Sequence, residues 1–239
     1  MVSVVFPAAG KGRRMGARKN KVLLEIGKVP MLVHTMRRFS KSPQVDFLVV
    51  VVGADEVADI SAMLKLVSGL KPYRVVAGGS ERQYSIANGL KVVPEASDVI
   101  LVHDAARPFV SLKTIEGVIE TARRDGGAIA AVPAKNTIKF VDAEGTVVRT
   151  PARSELWEVQ TPQGFRREIL LRAYEQAERD GFLGTDDSGL VERLGVPVKV
   201  VESDGRNIKV TTPEDMIVAE AFLKEELKGK FRKKLRSLS

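Results

Sequence analysis

Six consecutive apolar residues, Phe47-Leu48-Val49-Val50-Val51-Val52, constrain this chain more than any other stretch. A strand with one wet face alternates polar and apolar side chains. A run without polar residues belongs where both faces are covered, as in the interior of a parallel sheet. The β-branched run Val2 to Phe6 and the stretch Asp98 to Val102 read the same way. Between them lie segments of helical character: one opened by Pro30, with Met31, Leu32, Thr35, Met36 and Phe39 on one face, another over Asp55 to Val67, then Ser111 to Arg124 and Arg166 to Arg179. Further strands are expected at Tyr73 to Val76, Ala128 to Val132, Val198 to Val201 and Arg206 to Thr211. This alternation predicts one α/β domain with a mostly parallel twisted sheet.

The first strand ends at Pro7 and runs into Ala8-Ala9-Gly10-Lys11-Gly12-Arg13-Arg14-Met15-Gly16, with Arg18, Lys19 and Lys21 close behind. Gly10 and Gly12 carry no Cβ to hold a ligand off, and a strand feeding a glycine loop rich in cations is how a chain holds a polyphosphate. The Walker pattern fails, because five residues separate Gly10 from Gly16 and Ala17-Arg18 follows. The dinucleotide fingerprint fails as well, since Met15 stands where its third glycine belongs.

Composition narrows the partner. At 239 residues and 44% hydrophobic, the chain can bury one large core. No run approaches the roughly 18 to 20 apolar residues of a membrane span, and no basic-then-apolar leader precedes the first strand. The absence of cysteine excludes disulfides and thiolate zinc sites, and a cytoplasmic location is expected. Two histidines, His34 and His103, are too few for a histidine-rich metal site, and His34 reads as structural. A net charge of +8 calls for an anionic partner. Nucleic-acid binding wants aromatic side chains for stacking, whereas aromatics make up only 5% and the distinctive cations cluster in glycine loops. Phosphorylated small molecules are therefore the expected partners, with neither nucleic acid nor membrane.

Four further segments carry chemistry. Gly78-Gly79-Ser80-Glu81-Arg82-Gln83 reads as a glycine approach to a helix capped by Ser80 and Gln83, with Ser85 one turn in. His103-Asp104-Ala105-Ala106-Arg107-Pro108 follows a strand, at the carboxyl edge where open α/β sheets bind ligands. Thr137 to Asp142 and Thr146 to Thr150 form a hairpin too short and polar for its own core, expected to protrude as an arm against a second subunit. Thr212-Pro213-Glu214-Asp215 is a helix start, and that helix is expected to reach about Lys228 before a basic, fraying tail over 229–239.

The motifs AAGKGRRM, GGSERQYSI, VHDAARP and NIKVTTPED, with QTPQ, resemble the 2-C-methyl-D-erythritol 4-phosphate cytidylyltransferases, and the likeness spans roughly residues 2 to 223. The resemblance implies a single Rossmann-like nucleotidyltransferase domain over 1–228 with a protruding β-hairpin arm at 135–158. It also implies a homodimer and a Mg2+-dependent transfer of a cytidylyl group from CTP to a polyol phosphate. The related ribitol 5-phosphate cytidylyltransferases share most of these motifs and supply the alternative acceptor. Carried over by position, Ala8, Ala9, Gly10 and Gly12 would lie along the nucleotide. Arg14 and Lys21 would hold its triphosphate, and Gly79 and Ser85 would contact the base. Asp104 and Arg107 would line the junction between ribose and polyol, and Thr137 and Arg153 would reach the polyol phosphate from the partner's arm. Thr161, Thr185 and Lys209 would complete the pocket. The chain departs from the family pattern at Asn20 and Val22, which flank Lys21 in place of proline and glutamine, and at Ser80, in place of aspartate.

The chemistry implied needs little acid–base help. A phosphomonoester has a second pKa near 6, so at neutral pH it is already a nucleophile. Repulsion between polyanions and charge at the α-phosphorus oppose the reaction, which casts Arg14, Lys21 and Lys209 as the catalytic cations. Mg2+ would ride mainly on the CTP phosphates, with no direct protein ligand and Asp104 as an orienting group.

Overall fold

The computed structural model describes residues 1–10 and 20–236. Its centre is a seven-stranded sheet. In chain order the elements are β1 (Val2–Pro7), the small hairpin β2 (Glu25–Ile26) and β3 (Val29–Pro30), α1 (Met31–Ser40), β4 (Phe47–Val52), α2 (Val57–Lys65), β5 (Tyr73–Ala77), α3 (Arg82–Leu90) and β6 (Val99–Val102). Then follow α4 (Leu112–Asp125), β7 (Gly127–Pro133), the two-stranded arm β8 (Phe140–Val141) and β9 (Val147–Arg149), β10 (Trp157–Arg166), α5 (Arg167–Arg179), α6 (Asp187–Glu192), β11 (Lys199–Glu202) and α7 (Pro213–Arg236).

The sheet order is β11-β7-β10-β6-β1-β4-β5. Strand β1 pairs in parallel with β4 and with β6, β4 with β5, and β11 with β7, while β10 runs antiparallel to both neighbours. The period of two in a strand sends Val4 and Phe6 to one face and Val5 to the other. On the first face they meet Leu32, Met36 and Phe39 of α1, Ile60 and Leu64 of α2, and Ile115, Val118 and Ile119 of α4. On the second, Val5, Val49, Val51, Ile100 and Val102 pack on Ile86 and Leu90 of α3, Leu170, Ala173 and Tyr174 of α5, and Leu190 and Val191 of α6. Both faces of the apolar run are thus covered, as the run requires. Gly89 lets α3 settle on the strands: a Cβ there would lie 2.8 Å from side-chain atoms of Val5 and Val51. A third cluster, of Ile26, Met31, Phe109, Val210 and Ala219, joins α7 to the small hairpin and to the loop after β6.

Several expectations are corrected. The segment around QTPQ is a ten-residue strand, β10, in the middle of the sheet. Its polar residues gave no apolar signal, because Gln160, Thr161 and Gln163 are buried by bonding to loops and helix starts. Residues 206–211 form no strand; their backbone turns to the loop after β6, with Val210 N–H donating to the Ala106 carbonyl at 2.8 Å. Helix α3 begins at Arg82 with Glu81 as its cap residue, so the Ser80–Gln83 capping box does not form. Helix α7 continues to Arg236, beyond the expected end at Lys228. Its start is as read: Asp215 Oδ2 accepts from the Thr211 and Thr212 N–H groups, and Thr212 Oγ1 accepts from the Asp215 N–H. None of the described helices is long and apolar enough to cross a membrane.

Candidate functional site

The carboxyl ends of β1, β5 and β6 open onto one side of the sheet, where the connections after them line a cavity of about 220 Å³. Ala8, Ala9 and Gly10 line it from β1, Gly79, Ser80, Glu81, Arg82 and Ser85 from the start of α3, and Asp104, Ala105 and Ala106 from the end of β6. Lys21, Val22 and Lys209 complete it. Lys209 lies 188 positions from Lys21 in the sequence and yet faces the same space.

Two loops form the walls without bulk. The Ala8 N–H donates to the Val51 carbonyl and the Gly78 N–H to that of Val52, both at 2.7 Å, so each loop leaves its strand still tied to β4. Ser85 Oγ accepts from the Gly79 N–H at 3.1 Å and donates to the Gly79 carbonyl at 3.3 Å, which pulls the glycine pair onto the first turn of α3. No side chain fits inside that turn. A Cβ on Gly78 would lie 2.7 Å from Ser85 Oγ and 3.0 Å from Ala9 Cβ, and one on Gly79 would lie 2.6 Å from Tyr84 Cβ.

Asn20 anchors the lysine. Its Nδ2 donates to the Ala8 carbonyl at 2.5 Å and to Glu56 Oε2 at 2.9 Å, while its Oδ1 accepts from the Val22 N–H at 3.3 Å, opening the short 3-10 turn Lys21–Leu23. One buried amide therefore joins the glycine-loop wall, the lysine turn and the loop after β4.

Charge gathers on the floor. Asp104 meets three cations: Lys209 Nζ at 2.8 Å, Arg107 Nε at 3.7 Å and Arg82 Nε at 3.9 Å. Burial alone would raise its pKa, but the field of Lys209, followed by those of Arg82 and Arg107, outweighs it and holds the carboxyl down at about 2. Arg82 also meets Asp187 at 2.7 Å, and Asp187 in turn accepts from the Tyr174 hydroxyl at 2.5 Å. Burial would lower the Arg82 pKa; the Asp187 carboxylate overrides this and raises it, so the guanidinium stays charged.

The Asp104 loop is braced from beneath. The Asp104 N–H donates to Thr161 Oγ1 at 3.0 Å, the Thr161 hydroxyl bonds to His103 Nδ1 at 3.1 Å, and His103 Nε2 reaches the Arg107 carbonyl at 3.1 Å. Those partners assign the proton to Nε2 and leave Nδ1 as acceptor. Complete burial pushes the His103 pKa down to about 3, so the ring is neutral at working pH and serves as a strut. Arg107 Nη1 donates to the Asn207 carbonyl at 2.7 Å, and Asn207 Nδ2 donates to Gln160 Oε1 and the Thr161 carbonyl, both at 2.8 Å. This polar seam brings the 207–210 segment against the loop and delivers Lys209 to Asp104.

Of the residues expected to form the site, Ala8, Ala9, Gly10, Lys21, Gly79, Ser85, Asp104 and Lys209 line the one cavity. Arg107 reaches it through Asp104, and Thr161 lies beneath with its hydroxyl committed to the brace. Thr137, Arg153 and Thr185 are exposed and do not line it. Gly12 and Arg14 lie outside the described residues. Sequence reasoning gave no role to Arg82, Asp187 or Tyr174. Arg82 stands inside the quoted GGSERQYSI motif, where Ser80 and Gln83 drew the reading, and Asp187 stands two positions after Thr185.

The residues suit a metal only in a limited sense. Among the described residues no three carboxylates or histidines gather, and Asp104 is already neutralised by cations. That donor set fits Mg2+ held chiefly by phosphate oxygens and water, with Asp104 as an outer partner. A carboxylate under a ring of cations, with glycine walls open to a flat ligand, is built to receive a polyphosphate.

The chain is similar to known proteins over nearly its whole length. Residues 2–225 match the family model of 2-C-methyl-D-erythritol 4-phosphate cytidylyltransferase. The enzyme of that name from Geobacter metallireducens is 47% identical over 230 residues, covering 95% of this chain and 99% of the relative. That from Symbiobacterium thermophilum is 47% identical, covering 94% of each. Among solved structures, the 4-diphosphocytidyl-2C-methyl-D-erythritol synthase of Anaerococcus prevotii superposes with a TM-score of 0.83 at 33% identity, covering 93% of this chain and 96% of that one. The Thermus thermophilus cytidylyltransferase superposes at 0.77 with 32% identity, covering 93% and 98%.

Proposed function

The chain belongs to the 2-C-methyl-D-erythritol 4-phosphate cytidylyltransferase family, and from that premise we propose how its cavity carries out the reaction. The enzyme transfers the cytidylyl group of CTP to 2-C-methyl-D-erythritol 4-phosphate in the non-mevalonate route to isoprenoids. A phosphate oxygen of the acceptor attacks the α-phosphorus of CTP in line. The bond from that phosphorus to the bridging oxygen breaks, and pyrophosphate leaves with the electron pair.

Each side chain has a role in this reading. Ala8 to Gly10, and Gly12 beyond the described residues, lie along the nucleotide; Gly79 and Ser85 contact the base. Lys21, Lys209 and Arg14 surround the α-phosphorus and its leaving group, where they offset repulsion between the polyanions and stabilise the crowded transition state. Asp104 orients Lys209 and meets the ribose, and Arg107 holds the Asp104 loop in register beside the polyol. Mg2+, when bound, neutralises phosphate oxygens and is carried mainly by CTP. The observation that supports this arrangement best is Lys209 Nζ, 2.8 Å from Asp104, facing the same cavity as Lys21 and the first glycine loop.

A second subunit completes the acceptor side. The 135–158 arm exposes Ile138, Phe140, Val141, Val147, Val148 and Trp157, a row of apolar side chains that water disfavours. Thr137 and Arg153 sit on this arm away from the cavity of their own chain, so they serve the partner's cavity in a homodimer, while Thr185 closes the rim from its own chain. Residues 1–228 act as the catalytic unit. A cysteine-free chain is in keeping with the reducing cytoplasm.

Pyrophosphate release from CTP, measured with methylerythritol phosphate and with ribitol 5-phosphate in parallel, tests the acceptor. Release with the first alone is expected; release only with ribitol phosphate would overturn the assignment.

A further inference from the structure

Asp104 stands among three cations, yet only one of them reaches it. Lys209 Nζ is 2.8 Å from Oδ2, whereas Arg107 Nε stops 3.7 Å from the same oxygen and Arg82 Nε 3.9 Å from Oδ1. The two arginine distances lie beyond hydrogen-bond length. An arginine beside a free carboxylate closes into a two-pronged fork at about 2.7 to 2.9 Å, with more directional bonding than a lysine can offer. Both guanidinium groups are therefore being held back.

Each is held by another acceptor. Arg107 Nη1 donates to the Asn207 carbonyl at 2.7 Å, and its Nε, buried beside Asp104, is left without a hydrogen-bond partner. A buried N–H left unpaired costs free energy, so the bond that keeps it off the carboxylate is the stronger constraint. Arg82 Nη2 donates to Asp187 Oδ2 at 2.7 Å. Asp187 is completely buried, and its Oδ1 accepts from the Tyr174 hydroxyl at 2.5 Å. The backbone around it is fixed as well. Gln163 Oε1 accepts from the N–H groups of Asp187 and Ser188. Gln83, next to Arg82, holds the preceding loop through the Phe182 carbonyl and the Gly184 N–H.

Asp187 does not line the cavity, so it does not touch a substrate there. Net stability is a poor reason for such a pair, because desolvating two charges costs about as much as their attraction returns. What the pair does fix is the reach of Arg82. A fork from Arg82 would take both oxygens of Asp104, including the Oδ2 that Lys209 now occupies. Lys209 would lose its anchor, and its half-exposed ammonium would no longer be held at one place on the cavity floor.

We propose that Asp187, braced by Tyr174, is a positioning residue of the transfer reaction: it withholds Arg82 from Asp104 and so reserves that carboxylate for Lys209. This role depends on Lys209 acting at the α-phosphorus, as in the function proposed above.

Kinetics and crystal structures of full-length variants test this. Asp187→Asn keeps the shape of the side chain and an acceptor for Tyr174 but gives up the charge that holds Arg82. It should lower kcat by about tenfold to a hundredfold, the cost of a displaced cation, with KM for CTP changed less than about threefold. Adding Arg82→Gln removes the guanidinium that would invade, and the double variant should recover most of that loss. A merely structural part for Asp187 predicts the reverse, a second loss on top of the first. Tyr174→Phe removes one hydroxyl and is the milder variant; it should show the same pattern with a loss of a few-fold. In crystals of Asp187→Asn, Arg82 should close to within about 3 Å of Asp104, with Lys209 Nζ displaced. Parental kcat in Asp187→Asn, a double variant more impaired than the single one, or an Arg82 that stays off Asp104 would each overturn the proposal. Lys209→Ala separates the two levels. Parental kcat there would remove the role of Lys209 itself and this inference with it; a large loss there beside an unimpaired Asp187→Asn would remove this inference alone.

Discussion

The floor of the cavity and the hairpin arm come from the same chain and are built in opposite ways. On the floor, Asp104, Arg82, Arg107, Lys209, Asp187, Tyr174, Thr161 and His103 form one connected set of ion pairs and hydrogen bonds, in which no single group sets its own position. On the arm, the strands are two and three residues long, and the large apolar side chains face water. A site that must fix charges to within fractions of an ångström is finished inside one chain, where burial and bonding over-determine it. Under the homodimer proposed above, the arm is a surface left for a partner to finish. The contrast is between preorganisation and assembly, and each half fails in its own way.

The largest effect should come from the cavity's cations. Lys21→Ala should lower kcat by roughly 10²- to 10³-fold, the cost of one transition-state stabiliser, while the melting temperature stays near the parent's. Near-normal turnover would remove Lys21 from the chemistry. Next comes the arm. If the proposed homodimer forms through the arm, Phe140→Asp with Val148→Asp should leave a monomer on sedimentation and lower kcat/KM for the polyol phosphate by about tenfold or more, with CTP affinity retained, since two unpaired charges desolvated at an interface oppose association. A variant that stays dimeric, or a monomer with full acceptor kinetics, would erase the division drawn between the two regions.

Asn20 tests the join between wall and lysine. Removing its amide leaves the Ala8 carbonyl and Glu56 short of a donor, worth about 1 to 3 kcal/mol. Asn20→Ala should therefore raise KM for CTP about tenfold with a smaller change in kcat; an unchanged KM would make Asn20 a stabilising residue alone. The effect least felt in turnover is set by pH, because it acts on stability. Asp104 is held at about 2 in the folded state against an ordinary value near 3.9 unfolded. Its contribution is thus complete above pH 4 and disappears as pH falls towards 2, a loss on the order of 2 kcal/mol by chemical denaturation. In Asp104→Asn the stability curve should be flatter over that interval.

What could be read from the residues follows the same contrast. Apolar runs such as 47–52 and periodic helices such as 167–179 announce themselves, since burial against water acts on each residue locally. Lys21 was legible as a cation behind a glycine loop, and Asp104 as a carboxylate at the carboxyl end of a strand. Strand β10 was not, because Gln160, Thr161 and Gln163 are buried by virtue of distant partners: Asn207, His103 and the amides at 187 and 188. Residues 206–211 misled for the converse reason, since their alternation of side chains serves a loop and the α7 cluster with no sheet involved. Arg82 was hidden inside a motif taken for a helix cap; its partners, Asp104 and Asp187, lie 22 and 105 positions away in sequence. No local signal carries that information.

The account rests on cations remote in sequence converging on one phosphorus, and a crystal soaked with CTP and Mg2+ addresses it most directly. Phosphate oxygens should appear within about 3 Å of both Lys21 Nζ and Lys209 Nζ, the length of a charge-assisted hydrogen bond, with the cytosine against Gly79 and Ser85. A triphosphate bound away from either lysine, with the cavity beside Asp104 left to solvent, would contradict it.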